Sequence, residues 1–204
     1  MPAIQINIAT FPSSDAFASN PDMLKAPVDM IKSADGHKAS FYGIQVEDNK
    51  KGYFVSVWES HDHHRKLVES PNYASIIEKL KPTISGQFER NFINISHDPL
   101  PALSSPAVEI VTFTLKSGSS AEQLTPLMEE LGKGLDTATG AHPPCAWGQS
   151  VEDKNKVLLI VGWDTVEAHW EAVKEGTGLH ATIVKIKDVA DLSIGHSHVK
   201  KHEG

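Results

Sequence analysis

Tyr53-Phe54-Val55-Ser56-Val57-Trp58 returns 105 residues later as Leu158-Leu159-Ile160-Val161-Gly162-Trp163. The same offset lays Tyr42-Gly43-Ile44-Gln45-Val46-Glu47-Asp48 on Trp147-Gly148-Gln149-Ser150-Val151-Glu152-Asp153. Carried on without a gap, it pairs His64 with His169 and His37 with His142. Toward the N-terminus the offset shortens, with Pro27 matching Pro126, so the second copy is longer around its first helix. One spacing sustained through a 204-residue chain marks two copies of one unit.

Working outward from these central strands, each copy reads β-α-β-β-α-β. Ile4, Ile6 and Ile8 alternate with polar residues, as do Val108, Ile110 and Thr112, which is strand spacing. Leu124, Leu127, Met128, Leu131 and Leu135 fall on one helical face, and Leu24, Val28 and Ile31 form a weaker counterpart around Pro27. Polar stretches at Glu47–Lys51 and Glu152–Asn155 suit hairpin turns. After each tryptophan a helix begins, capped by Ser60 in one copy and by Asp164 or Thr165 in the other. Ser70-Pro71 and Gly176-Thr177-Gly178 break these helical regions at matching places. Last strands follow at Phe88–Phe92 and from Leu192 toward His198.

The expected domains are residues 1–97, a Pro/Ser-rich linker at 98–106, and residues 107–204 ending in a solvated His/Lys-rich tail. Both faces of the central strands are apolar, so each sheet needs a cover on both sides. The predicted class is α+β: two ferredoxin-like repeats whose antiparallel four-stranded sheets face each other as an intramolecular barrel.

Composition excludes several functions. A net charge of −7 and only two arginines, Arg65 and Arg90, argue against nucleic acid as a partner. No apolar run is long enough for a membrane span, and Met1–Thr10 has no signal-peptide pattern. A single cysteine, Cys145, excludes an internal disulfide framework; a cytoplasmic setting is expected. The chain has no P-loop, dinucleotide-binding glycine turn or Gly-x-Ser-x-Gly elbow.

Val57-Trp58-Glu59-Ser60 with His64, followed by Ser70-Pro71 and Tyr73, resembles the antibiotic-biosynthesis-monooxygenase family of the dimeric α+β barrel superfamily. Val161-Gly162-Trp163-Asp164 with Ala168-His169 is similar. The resemblance covers nearly the whole chain and implies a barrel made within it, with a homodimer still compatible. It implies an enzyme working without a cofactor on a small apolar or aromatic metabolite, by oxygenation or by proton transfer as in cyclases, decarboxylases and lyases. A barrel that binds a ligand or serves in stress without catalysis is the alternative, and a haem or metal protein the third.

The family pattern makes Asn7 on the first strand, Trp58 and Tyr73 candidates for positioning an electron-rich phenol. His64, on the inward face of the following helix, is a candidate general base or else a core histidine. Tyr42, Arg90 and His37 are candidate substrate contacts in the same copy, and Trp163 and His169 their counterparts in the second. Each tryptophan has an equally simple reading as core packing, and His37 as an exposed loop residue. All three tyrosines and both arginines lie in the first copy, so the second reads mainly as scaffold.

No metal site is expected. His61-Asp62-His63-His64 and His196-x-His198 match no zinc spacing, and the second copy lacks the first cluster. Ile77 and Thr182 stand where the resemblance would place a haem ligand, with His180 out of register, so no haem is expected.

Overall fold

The computed structural model describes residues 5–203; Ile4 of the first expected strand lies outside them. The chain divides into two compact units, Met1–Asn94 with Ser197–Gly204, and Ile95–His196.

The first unit runs β1 (Gln5–Pro12), α1 (Asp15–Ser19), α2 (Lys25–Lys32), β2 (His37–Ile44), β3 (Lys51–Trp58), α3 (His61–Val68), α4 (Tyr73–Leu80) and β4 (Glu89–Asn94). Its strands order as β4-β1-β3-β2, all pairs antiparallel. Asn7 lies opposite Ser56 on one side and Phe92 on the other, and Ala9 opposite Phe54 and Arg90. The two-residue period therefore puts Asn7, Ala9, Phe54, Ser56, Trp58 and Arg90 on one face, and Ile6, Ile8, Val55, Val57 and Ile93 on the other. Both rows are buried apart from the partly exposed Arg90. Ser60 caps α3 as its sequence suggests, its Oγ accepting from the His63 N–H. α2 packs against α4 and β2. The Ser70-Pro71 break holds, but the next helix starts at Tyr73.

The second unit contains α5 (Leu100–Leu103), β5 (Ala107–Leu115), α6 (Ala121–Leu135), β6 (Ala141–Gln149), β7 (Lys156–Trp163), α7 (Val166–Ala172), α8 (Gly178–Val189) and most of β8 (Ala190–Ser197). Strand order is β6-β7-β5-β8, the arrangement of the first unit again. Leu124, Met128, Leu131 and Leu135 are buried on one face of α6, against Val111, Leu159 and Trp163 of the sheet. Ser120 and Gln123 close a capping box at its start. Thr165, not Asp164, caps α7. The expected linker is folded instead: Ala102 and Leu103 are buried, and α5 packs on β6 and β7. Pro99 and Pro101 sit before and within its helical turn, where a missing N–H costs nothing, and Pro106 precedes β5.

The largest departure is the C-terminus. Residues 195–202 form no solvated tail. His196 and Ser197 are fully buried. Lys200–Lys201 form β9, which pairs with Phe41 and Tyr42 and makes the first sheet five-stranded rather than four-stranded. The Ser197 hydroxyl donates to the Ile44 carbonyl at 2.8 Å, and the His202 N–H to the Ser40 carbonyl at 2.8 Å. An edge strand leaves N–H and C=O groups unpaired, and this segment pairs those of β2. Gly43 makes the approach feasible, since a Cβ there would collide with Ser197 and crowd Val199.

Candidate functional site

Between the Asn7 face of the first sheet and helices α2–α4 lies a cavity of about 220 Å³. Its walls are apolar: Ala9, Phe11 and Phe54 from the sheet, Leu67 from α3, and Ile76, Ile77 and Leu80 from α4. Asn7, Ser56, Trp58, His64, Tyr73 and Arg90 bring polar atoms to it. A mainly apolar hollow with a few convergent polar groups is the usual form of a small-molecule site.

Each polar group has a definite state. Asn7 is buried, and its side-chain oxygen has no hydrogen-bond partner. A buried acceptor left unpaired costs about 1–3 kcal/mol, so it awaits a donor. The Trp58 indole N–H donates to Ser56 Oγ at 2.8 Å. Arg90 Nη1 donates to the Tyr73 hydroxyl at 3.0 Å, which aims the guanidinium along the cavity wall. His64 meets Trp58 edge-on with ring centres 5.3 Å apart and lies 5.1 Å from the Phe92 ring. Burial pushes its pKa down to about 4, helped by the charges of Arg90 and His61, so the imidazole is neutral at pH 7.

Asn7, Trp58, His64, Tyr73 and Arg90 thus share one cavity, as the sequence reading groups them. Four expected contacts, Tyr42, His37, Trp163 and His169, lie elsewhere. Tyr42 is buried, but its hydroxyl points to Asp22 Oδ1 at 3.5 Å and its ring lies 6.4 Å from that of His202. Tyr42 stands one strand beyond Phe54, under the chain's returning end, and that separates it from the cavity. His37 backs the site instead of lining it: its ring meets the Trp58 indole edge-on at 5.2 Å, and its Nε2 bonds Ser40 Oγ at 2.8 Å. Trp163, fully buried, donates its indole N–H to Glu109 Oε2 at 2.8 Å within the second unit.

His169 lines a separate cavity of about 320 Å³ in the second unit, beside Glu109, Trp170 and His180. The scaffold reading of this copy overlooks that hollow. Gln5 pairs with Trp58 and Ala107 with Trp163, so Glu109 holds the register position of Asn7. His169 Nε2 lies 3.3 Å from Glu109 Oε1, and its Nδ1 lies 2.9 Å from His196 Nε2. Ser56, Glu109 and Trp170 escaped the sequence reading, and His196 entered it only as half of a His-x-His pair that was set aside. Glu109 was findable, since it interrupts the apolar inward row Ala107, Val111 and Phe113. Nothing local in the sequence marks His196 as buried.

No protein family matches the chain, and a comparison with curated proteins gives no match. Solved structures do match along its whole length. Two are described as "putative monooxygenase": one from Fusobacterium nucleatum, 11% identical with a TM-score of 0.71, covering 98% of this chain and 94% of its own. The other is from Lactobacillus acidophilus, 11% identical with a TM-score of 0.66, covering 98% and 95%. A third, an anthrone oxidase-like protein, is 12% identical with a TM-score of 0.69, covering 99% and 94%. The chain has the fold of these monooxygenase-like proteins. The resemblance read from the two tryptophan motifs therefore holds at the level of fold, duplication included. Among the described residues no helix is long and apolar enough to cross a membrane.

Proposed function

We propose that the first unit is a cofactor-independent, monooxygenase-like site for a planar hydroxylated aromatic metabolite. The observation that carries this is the apolar cavity that Asn7, whose buried side-chain oxygen has no hydrogen-bond partner, lines together with Arg90. A phenol O–H answers the first, and the charge that develops when the substrate loses a proton answers the second. Phe54 lines the wall where an aromatic ring would stack, with the fully buried Trp58 beside it. His64, held neutral, is the proton acceptor, with Arg90 stabilising the resulting anion. The electron-rich substrate itself reduces O₂: an activated CH₂ becomes C=O, one oxygen atom enters the product, and the other leaves as water. The names of the matching structures supply the reaction class; the cavity supplies the substrate class.

The test is oxygen uptake by the full chain with 1,8-dihydroxyanthrone as probe. Catalysed uptake that falls at least about 10²-fold in Arg90→Gln is expected, the scale of losing one charge-stabilising donor. One observation favours a second reading, binding without turnover. A base with a pKa of about 4 is weak, because general bases work best near the operating pH. Tight binding of the probe with no catalysed uptake would establish that reading. Proton-transfer chemistry without O₂ would appear as substrate consumption under argon.

A further inference from the structure

The second unit carries a different constellation at the corresponding place. Glu109 occupies the register position of Asn7, and His196 lies against His169, ring centres 4.8 Å apart, much as Phe92 lies against His64. Only the histidine of α3 and α7 is common to both. Glu109, His169 and His196 are all buried, and one ligand atom from each lies within 4.8 Å of the others. No second group of three His, Cys, Asp or Glu side chains with this closeness occurs among the described residues.

We propose that Glu109, His169 and His196 bind a first-row divalent transition metal, with zinc the best match. Two imidazoles and one carboxylate are the donor set that zinc takes in sites keeping an open position. Bonds of about 2.0–2.1 Å at tetrahedral angles place ligand atoms about 3.3 Å apart. His169 Nε2 and Glu109 Oε1 stand at 3.3 Å. Closing the third ligand onto this pair takes a movement of the His196 side chain, whose Nε2 now meets the other ring nitrogen of His169. The Trp163 N–H holds the other carboxylate oxygen at 2.8 Å, the outer-shell support that fixes a ligating carboxylate. Glu109 and His169 also face the 320 Å³ cavity, which gives an entry path and room for a further ligand.

Charge supports the assignment. A buried carboxylate beside two buried imidazoles is a donor set whose enclosed charge a divalent cation can compensate. In the metal-free arrangement a proton is shared between His169 Nδ1 and His196 Nε2 at 2.9 Å. Binding the metal through His196 Nε2 displaces that hydrogen bond. The first unit cannot bind metal in this way, since the matching positions hold Asn7 and Phe92.

The experiment uses the full chain, stripped with a chelator and titrated with Zn²⁺ and with Co²⁺, read by equilibrium dialysis with elemental analysis and by visible d–d absorption. One equivalent per chain is expected, with tetrahedral-type Co²⁺ absorption. His196→Phe and Glu109→Asn each import the side chain the first unit already accommodates at the matching place. Each should weaken binding at least 100-fold, while His61→Ala should not. Absence of a bound equivalent overturns the proposal, and so does binding that survives both substitutions. Should either variant fail to fold by circular dichroism, Glu109→Gln replaces it, and the Co²⁺ spectrum of the unaltered chain already decides whether a four-coordinate site forms.

Discussion

The Tyr73 hydroxyl accepts a hydrogen bond from Arg90 Nη1 at 3.0 Å, tying the first residue of α4 to strand β4 beside the 220 Å³ cavity. Seventeen residues separate the two in sequence, and the bond sets where the cavity's positive charge sits. Tyr73→Phe removes the acceptor but keeps the ring. We expect a stability loss of about 0.5–1.5 kcal/mol, the net value of one such bond. Affinity for 2-naphthol, measured by calorimetry above its pKa, should fall several-fold as Arg90 gains rotamer freedom. Unchanged affinity would mean that Arg90 is positioned by other contacts.

Trp58 and Trp163 are matched in place and burial but not in partner. Trp→Ala at either should cost about 3–5 kcal/mol, the cost of emptying a buried aromatic site. Trp→Phe separates them. At Trp58 it frees a serine hydroxyl that can rotate to another acceptor; at Trp163 it strips an N–H from the buried Glu109 carboxylate. Trp163→Phe should therefore be the more destabilising, by about 1–2 kcal/mol in urea unfolding. Equal losses would show that Glu109 replaces the lost donor.

His64 gives a pH signature. Its folded pKa of about 4 lies below the ordinary value of 6.5, so between those limits the unfolded chain binds the proton and the folded chain does not. Stability from this residue is fully present above pH 6.5 and is lost as pH falls toward 4. A shift of that size corresponds to about 3 kcal/mol. His64→Gln should flatten the stability–pH curve between pH 6.5 and 4 relative to the unaltered chain. Parallel curves would place His64 in contact with solvent.

Removing residues 197–204 tests the returning C-terminus. The Ser197 and His202 bonds and the β9 pairing would be lost, and the edge of β2 exposed. A loss of about 2–4 kcal/mol is expected, at about 1 kcal/mol per hydrogen bond. The exposed edge should also promote self-association, visible in sedimentation, because an unpaired strand edge accepts another chain's strand. An equally stable, monomeric truncation would show that β9 only decorates the sheet.

The sequence by itself determined the duplication and the order of elements, because these rest on local periodicity and on a constant offset between two halves. The family resemblance put Asn7, Trp58 and Tyr73 on one list, helical spacing added His64, and the concentration of arginines in the first copy added Arg90. Tertiary structure decided what those side chains do. The low pKa of His64 depends on how much water packing removes, and the unpaired Asn7 oxygen on what fails to reach it; neither is a property of neighbours in sequence. Tyr42 left the site because its strand lies on the far side of β3 from Asn7 and its hydroxyl turns to Asp22, which no alternation pattern reports. The charged, histidine-rich end reads as solvated by composition, yet an unpaired strand edge outweighs that preference by offering hydrogen bonds. His196 joins Glu109 and His169 for the same reason: residues 109, 169 and 196 meet only once β5, α7 and β8 are assembled.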